Sequence, residues 1–100
     1  MRGTRLWALV FAPLPIMAAK ETKIAWRMSG RGGLHIAART TDGSDASLTA
    51  GPEPHGTSSW DIPNTDEWGT GFIFPKAGCW RVHAYRNDVA GDVYFLVAPK

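Results

Sequence analysis

The residues with the most distinctive chemistry are the only cysteine, Cys79, and the histidine that follows it four positions later, His83. A site of the blue-copper type uses two histidines, one cysteine and a weakly bound methionine. His35 and Met28 could complete such a set, because both fall in other segments with strand-like patterns. However, no methionine follows His83, and the Cys79–His83 spacing fits a strand rather than a ligand loop. The sequence therefore favours a packed cysteine and a surface histidine over copper.

A second group of candidate ligands is acidic and consists of Asp61, Asp66 and Glu67, with Asn64 between them. Hard cations such as Ca²⁺ need several oxygen ligands. The spacing matches no EF-hand loop, and Asp and Asn side chains also form Asx-turns on solvated loops. The simpler interpretation of this group is an acidic loop rather than a calcium site.

Aromatic side chains indicate a third kind of site, a contact surface for a partner. Trp60 and Trp68 flank the end of a long irregular stretch, and an exposed Trp with polar neighbours can stack on a sugar or anchor a protein. The predicted contact surface is the segment 54–68, with the candidate binding residues His55, Trp60, Asp61, Glu67 and Trp68. The alternative is that both tryptophans cover an open end of the fold.

Known catalytic and nucleic-acid patterns are missing from the sequence. It contains no GxSxG, HExxH, P-loop or GxGxxG motif, so we expect a protein that is not an enzyme and binds no cofactor. The net charge is +2 and the basic residues are scattered, without the stripe that nucleic-acid binding requires. No segment is suited to crossing a membrane as a helix.

The elements that must position these residues read as strands. Ile24, Trp26 and Met28 alternate with polar or small residues, which is the period of two expected of a strand with one buried face. A similar alternation continues at Leu34–Arg39, Trp80–Tyr85 and Val93–Val97. The inner faces are predicted to hold Trp26, Phe72, Phe74, Trp80, Val82, Val93, Phe95 and Val97, and the solvated faces Lys23, Arg27, Arg81 and Arg86. A short edge strand is predicted at Ala46–Ala50.

The N-terminal segment permits two interpretations. Residues 1–5 form a lead-in, and residues 6–19 form either a first strand or a signal peptide, because Leu6–Phe11 is a compact apolar run that suits both. Met17 stands where a signal-peptidase site prefers a small residue, which favours the strand. The 100 residues then form one domain of about seven strands, an all-β antiparallel sandwich of the immunoglobulin-like type.

The string Phe74-Pro75-Lys76-Ala77-Gly78-Cys79-Trp80-Arg81-Val82, followed by Gly91-Asp92 and an apolar last strand, resembles a group of uncharacterised bacterial exported proteins. The resemblance spans most of residues 6–98, with the "FPxxGCWxv" element as its most specific part. It implies an immunoglobulin-like domain that is secreted or displayed on the cell surface, with no assigned activity and no catalytic residue. It also implies that the export signal is missing from this chain.

The function expected from the sequence is a non-catalytic, extracytoplasmic binding or accessory module for an unknown protein or glycan, with the segment 54–68 as its contact surface. The alternative is a cupredoxin-like copper-binding protein that uses His35, Cys79 and His83.

Overall fold

A computed structural model describes residues 5–55 and 65–100 of the chain, and these residues form eight strands and no helix. The strands are β1 (Leu6–Val10), β2 (Ile16–Met17), β3 (Glu21–Met28), β4 (His35–Thr40), β5 (Ser47–His55), β6 (Asp66–Ile73), β7 (Gly78–Tyr85) and β8 (Ala90–Ala98). They build two four-stranded sheets, which confirms the prediction of an all-β fold made of two sheets. None of the described residues belongs to a helix that could cross a membrane.

The first sheet has the order β1-β3-β6-β5 and the second the order β2-β8-β7-β4. All pairs are antiparallel except β2 with β8, which is parallel. The segment 6–19, predicted as one first strand, is divided between the sheets: β1 pairs with β3 and β2 pairs with β8. Pro13 and Pro15 lie between the two strands, and because proline has no backbone N–H, this stretch cannot continue the first ladder.

The core lies between the two sheets and is rich in aromatic side chains. Trp26, Phe72, Phe74 and Trp80 are all buried, and Trp80 meets Phe74 edge to face at 5.4 Å between ring centroids. Each indole N–H has an acceptor, since Trp26 Nε1 donates to Thr70 Oγ1 at 2.8 Å and Trp80 Nε1 donates to the Lys76 carbonyl at 2.9 Å. The predicted inner-face residues are thus confirmed, with Val93 and Phe95 only half-buried.

The strand β5 is longer than the predicted edge strand and takes in the start of the stretch that looked irregular in sequence. Its register against β6 shifts twice, between Leu48 and Ala50 and between Ala50 and Glu53. Gly51 lies at the second shift with φ +76°, and a Cβ there would stand 2.1 Å from the Gly69 carbonyl oxygen. Only glycine fits this position, because both the backbone angle and the space exclude a side chain.

Candidate functional site

The structure places the predicted contact residues in different surroundings. Trp60 and Asp61 lie outside the described residues, and His55 is the last residue of β5, in register with Glu67. Glu67 and Trp68 are both buried at the start of β6. The side chains of Glu67 and Trp68 therefore help to hold the fold together and do not form a surface that a partner could contact.

Glu67 is held by Arg27 of the neighbouring strand β3. Arg27 Nη2 lies 3.2 Å from Glu67 Oε1, with both side chains 5% exposed, and Arg27 Nη1 donates to Thr65 Oγ1 at 2.9 Å. The sequence prediction that Arg27 faces water is wrong. Its strand position does point outward, but a buried charge needs ionic and hydrogen-bonding partners, and Thr65 and Glu67 supply them.

Trp68 is covered by the guanidinium of Arg86, which stands 4.6 Å from the indole centroid. Arg86 also donates to the carbonyls of Met28 at 3.0 Å and Gly32 at 2.9 Å, and its Nη2 bonds Asp66 Oδ2 at 2.6 Å. The prediction that Arg86 faces water is therefore also wrong. Arg27 and Arg86 together, named here the buried arginine pair, fix residues 65–68.

The acidic group that the sequence analysis weighed as a calcium site, and interpreted as an acidic loop, is engaged in part by the same contacts. Asp66 and Glu67 pair with the two guanidiniums of the buried arginine pair, while Asp61 and Asn64 lie outside the described residues. Two carboxylates that already neutralise buried cations are poor ligands for a further cation.

The copper candidates His35, Cys79 and His83 lie on strands of the second sheet but are not gathered into a site. Cys79 and His83 are four positions apart on β7, which is about 13 Å at the rise of a strand. In residues 5–55 and 65–100, no three side chains of His, Cys, Asp or Glu are grouped so that they could hold a metal. His83 Nδ1 instead lies 2.7 Å from Asp92 Oδ1, and the ring of His35 stacks on Tyr85 at 4.7 Å.

The cysteine is exposed, so the expectation of a packed Cys79 is wrong. The alternation along β7 explains this: Trp80, Val82 and Ala84 point into the core, and the odd-numbered residues point to solvent. Met28, the fourth copper candidate, is buried on the inner side of the first sheet. His35, Cys79 and His83 thus share the outer face of the second sheet without forming a site, and Met28 lies in the core.

Most of the exposed side chains of β4, β7 and β8 lie on the outer face of the second sheet. Large apolar side chains stand on it, with Tyr94 63% and Leu96 76% exposed. The register places Tyr94 opposite Arg81 and Leu96 opposite Cys79. Sequence reasoning missed this surface, although the alternation of Val93, Tyr94, Phe95 and Leu96 already placed two large residues on the solvated side.

A depression of about 300 Å³ lies on this face, with the lining residues Arg39, Thr40, Thr41, Cys79, Arg81 and Tyr94. Arg39 and Arg81 stand directly opposite each other on β4 and β7. They are named here the surface arginine pair. No carboxylate is among the lining residues, so the depression combines two positive charges with hydroxyl groups and one aromatic ring.

The outer face of the first sheet has a smaller trough of about 210 Å³ above Ala25, Gly69 and Gly71. Phe11, 58% exposed, forms one side of it. This trough is mainly apolar and its floor consists of small residues, and its lining includes one residue of each charge, Lys23 and Glu53, instead of two arginines.

Comparison with protein families, with curated proteins and with solved structures found no match for this chain.

Proposed function

We propose that the protein is a non-catalytic, extracytoplasmic binding or accessory module that contacts a glycan through the outer face of its second sheet. A protein partner on the same face is the alternative. The observation that carries the proposal is the pair Tyr94 and Leu96. These two large side chains are exposed two positions apart, on the same face of β8. An exposed aromatic ring with polar neighbours suits stacking against a sugar ring while hydrogen bonds orient the hydroxyl groups.

We further infer an immunoglobulin-like topology, an architecture that many cell-surface domains share. Constant-type immunoglobulin domains have strands ABED in one sheet and CFG in the other. The order β1-β3-β6-β5 corresponds to ABED, and β8-β7-β4 corresponds to GFC. The bond from the Trp80 indole to the Lys76 carbonyl is similar to the tyrosine corner at the start of strand F.

The chain departs from antibody domains because its single cysteine cannot make the disulfide between the sheets. Strand B carries one of the two cysteines in antibody domains, whereas β3 carries Trp26, which packs edge to face on Phe95 with 6.1 Å between the centroids. The extracytoplasmic location rests on the resemblance to exported bacterial proteins. The segment 54–68 stays part of the proposal only through His55, Trp60 and Asp61, since Glu67 and Trp68 are buried.

The proposal is tested with a panel of soluble polysaccharides, neutral and acidic, cast into native gels. We expect at least one of them to retard the wild-type protein, and the double variant Tyr94→Ala/Leu96→Ala to bind it about tenfold more weakly. Leu9→Ala/Phe11→Ala is the matched control, because it removes an exposed aromatic and an exposed leucine from the first sheet. Circular dichroism checks that both variants are folded.

Two results would contradict the proposal. If no polysaccharide in the panel retards the wild type, the glycan partner is wrong. If Tyr94→Ala/Leu96→Ala binds as the wild type does while the control loses affinity, the contact lies on the first sheet.

A further inference from the structure

The surface arginine pair places two like charges directly opposite each other on adjacent strands. Arg39 and Arg81 are partners in the register of β4 and β7, and side chains in such positions have Cβ atoms about 5 Å apart. Two positive charges facing each other on a sheet are unfavourable unless an anion lies between or beside them. The groups that neutralise Arg39 and Arg81 therefore show whether this surface could bind an anion.

The acids that contact the pair neutralise it only from the sides. Arg39 donates its Nε–H to Asp45 Oδ1 at 2.7 Å. Arg81 Nε is 3.6 Å from Asp92 Oδ1, which is longer than a hydrogen bond, and that same oxygen is 2.7 Å from His83. Within residues 5–55 and 65–100, the terminal Nη groups of these two arginines have no acceptor.

The rest of the depression is suited to an anion. Its lining has hydroxyl groups from Thr41 and Tyr94 and the thiol of Cys79, and it has no carboxylate. A guanidinium presents planar N–H donors that match the oxygens of carboxylate, sulfate and phosphate groups. The side chains of Arg39 and Arg81 are 67% and 55% exposed, so a ligand can reach them without rearrangement of the fold.

We propose that this depression binds the sulfate or carboxylate group of an acidic glycan, with the sugar ring against Tyr94. The inference rests on the proposed function and names its ligand class. Tyr94 is both exposed and part of the lining, so an anionic group on the arginines brings the attached sugar onto the ring. Asp45 and Asp92 flank the depression and confine the positive charge to it, which suits one anionic substituent better than the continuous phosphates of a nucleic acid.

The first experiment compares dextran sulfate with neutral dextran, which share one backbone. We expect the wild type to bind dextran sulfate about tenfold or more tightly, because charged hydrogen bonds contribute this much each. Arg39→Gln/Arg81→Gln should remove this preference and lose about tenfold or more in affinity for dextran sulfate. Arg5→Gln/Arg31→Gln is the control, since it removes two exposed arginines outside the depression and changes the net charge equally.

The second experiment uses Cys79 as a reporter inside the depression. The measured quantity is the alkylation rate of the thiol with anionic iodoacetate divided by its rate with neutral iodoacetamide. This ratio should be higher in the wild type than in Arg39→Gln/Arg81→Gln, because the two arginines attract the anionic reagent. Arg5→Gln/Arg31→Gln should keep the wild-type rate ratio. Dextran sulfate should slow iodoacetamide labelling of the wild type, and neutral dextran should leave it unchanged.

Each contrary outcome has a separate meaning. Equal loss in the depression variant and in the control would show attraction by net charge alone and overturn the inference. Equal binding of dextran and dextran sulfate through Tyr94 would overturn the anionic ligand but keep the proposed function. Tighter binding of hexaglutamate than of dextran sulfate would overturn the glycan and assign the arginines to an acidic peptide. No binding of dextran sulfate would overturn the inference, while the polysaccharide panel tests the proposed function separately.

Discussion

Two pairs of arginines in this small sandwich show opposite solutions to placing a guanidinium on a sheet. The buried arginine pair, Arg27 and Arg86, is 5% and 4% exposed and is surrounded by carbonyl, hydroxyl and carboxylate oxygens of the protein. The surface arginine pair, Arg39 and Arg81, is mostly exposed, and each of its members is approached by one carboxylate at its Nε.

The two pairs differ in the source of the hydrogen-bond acceptors for their guanidinium groups. Burial of a charge is tolerable only when the protein provides partners in good geometry, so Arg27 and Arg86 are structural. On the surface, water satisfies the remaining donors at little cost, and a ligand anion can replace that water. The same residue type thus stabilises the fold in one place and is available for recognition in the other.

The largest expected effect is the loss of a buried arginine. Arg86→Met should destabilise the protein by about 3–5 kcal/mol, because it removes the bonds of a buried guanidinium to the Met28 carbonyl, the Gly32 carbonyl and Asp66. Arg81→Met is the matched control and should change the free energy of unfolding by less than about 1 kcal/mol. Urea denaturation measures both. Equal effects would contradict the division between the two pairs.

The acidic partners should repeat the pattern with smaller effects. Glu67→Gln keeps the shape of a buried partner but removes its negative charge from beside Arg27, so a loss of about 2–3 kcal/mol is expected. Asp45→Asn removes the exposed partner of Arg39 and should cost less than about 1 kcal/mol. Thermal unfolding of the two variants side by side gives the comparison. An Asp45→Asn loss as large as that of Glu67→Gln would refute it.

A third ion pair, the exposed pair of Lys76 and Asp42, should have a still smaller and pH-dependent effect. The hydrogen bond from Lys76, followed by that from Thr40, holds the pKa of Asp42 well below its ordinary value of 3.8. A lowered pKa in the folded state means that the stabilisation is present above 3.8 and is lost as the pH falls from there towards the folded-state pKa. Asp42→Asn should therefore be less stable than the wild type at neutral pH, and the difference should shrink in acid. Unfolding curves across this range check it, and a difference that grows in acid would contradict the sign.

The smallest expected effect is that of added Cu(II) on the absorption spectrum of the protein. Because Cys79 and His83 are about 13 Å apart and positively charged side chains stand around the thiol, Cu(II) should produce no intense thiolate-to-copper absorption band. The purified protein should also hold no stoichiometric metal that Cys79→Ser removes. A strong band lost in Cys79→Ser would restore the cupredoxin-like alternative and would show that the outer face binds cations.

Much of the fold was predictable from local pattern. The alternation around Trp26 and around Trp80 assigned strands and inner faces correctly, because a residue on a strand has only two directions in which to point. The same rule correctly put Cys79 and His83 on one face of β7. It failed for Arg27, because an outward position can still be covered by residues that are distant in sequence. Arg86 continues the inward side of β7 after Ala84, and its charge alone had suggested that it faces water.

The candidate site was less predictable. Trp68 looked like an exposed anchor because its neighbours in sequence are polar, yet the register of β6 against β3 places it opposite Trp26 in the core. Arg39 and Arg81 are 42 residues apart in the chain, so no spacing rule brings them together. Only the pairing of β4 with β7 makes them neighbours.

The sequence by itself determined that the chain forms short strands with one apolar face each, and which residues occupy those faces. It did so because alternation is a local property of extended backbone. The tertiary structure alone decided which charged side chains are buried with partners and which are exposed beside one another. Burial and ion pairing depend on segments brought together from distant parts of the chain, and the free energy of a charge depends on those neighbours more than on its own strand.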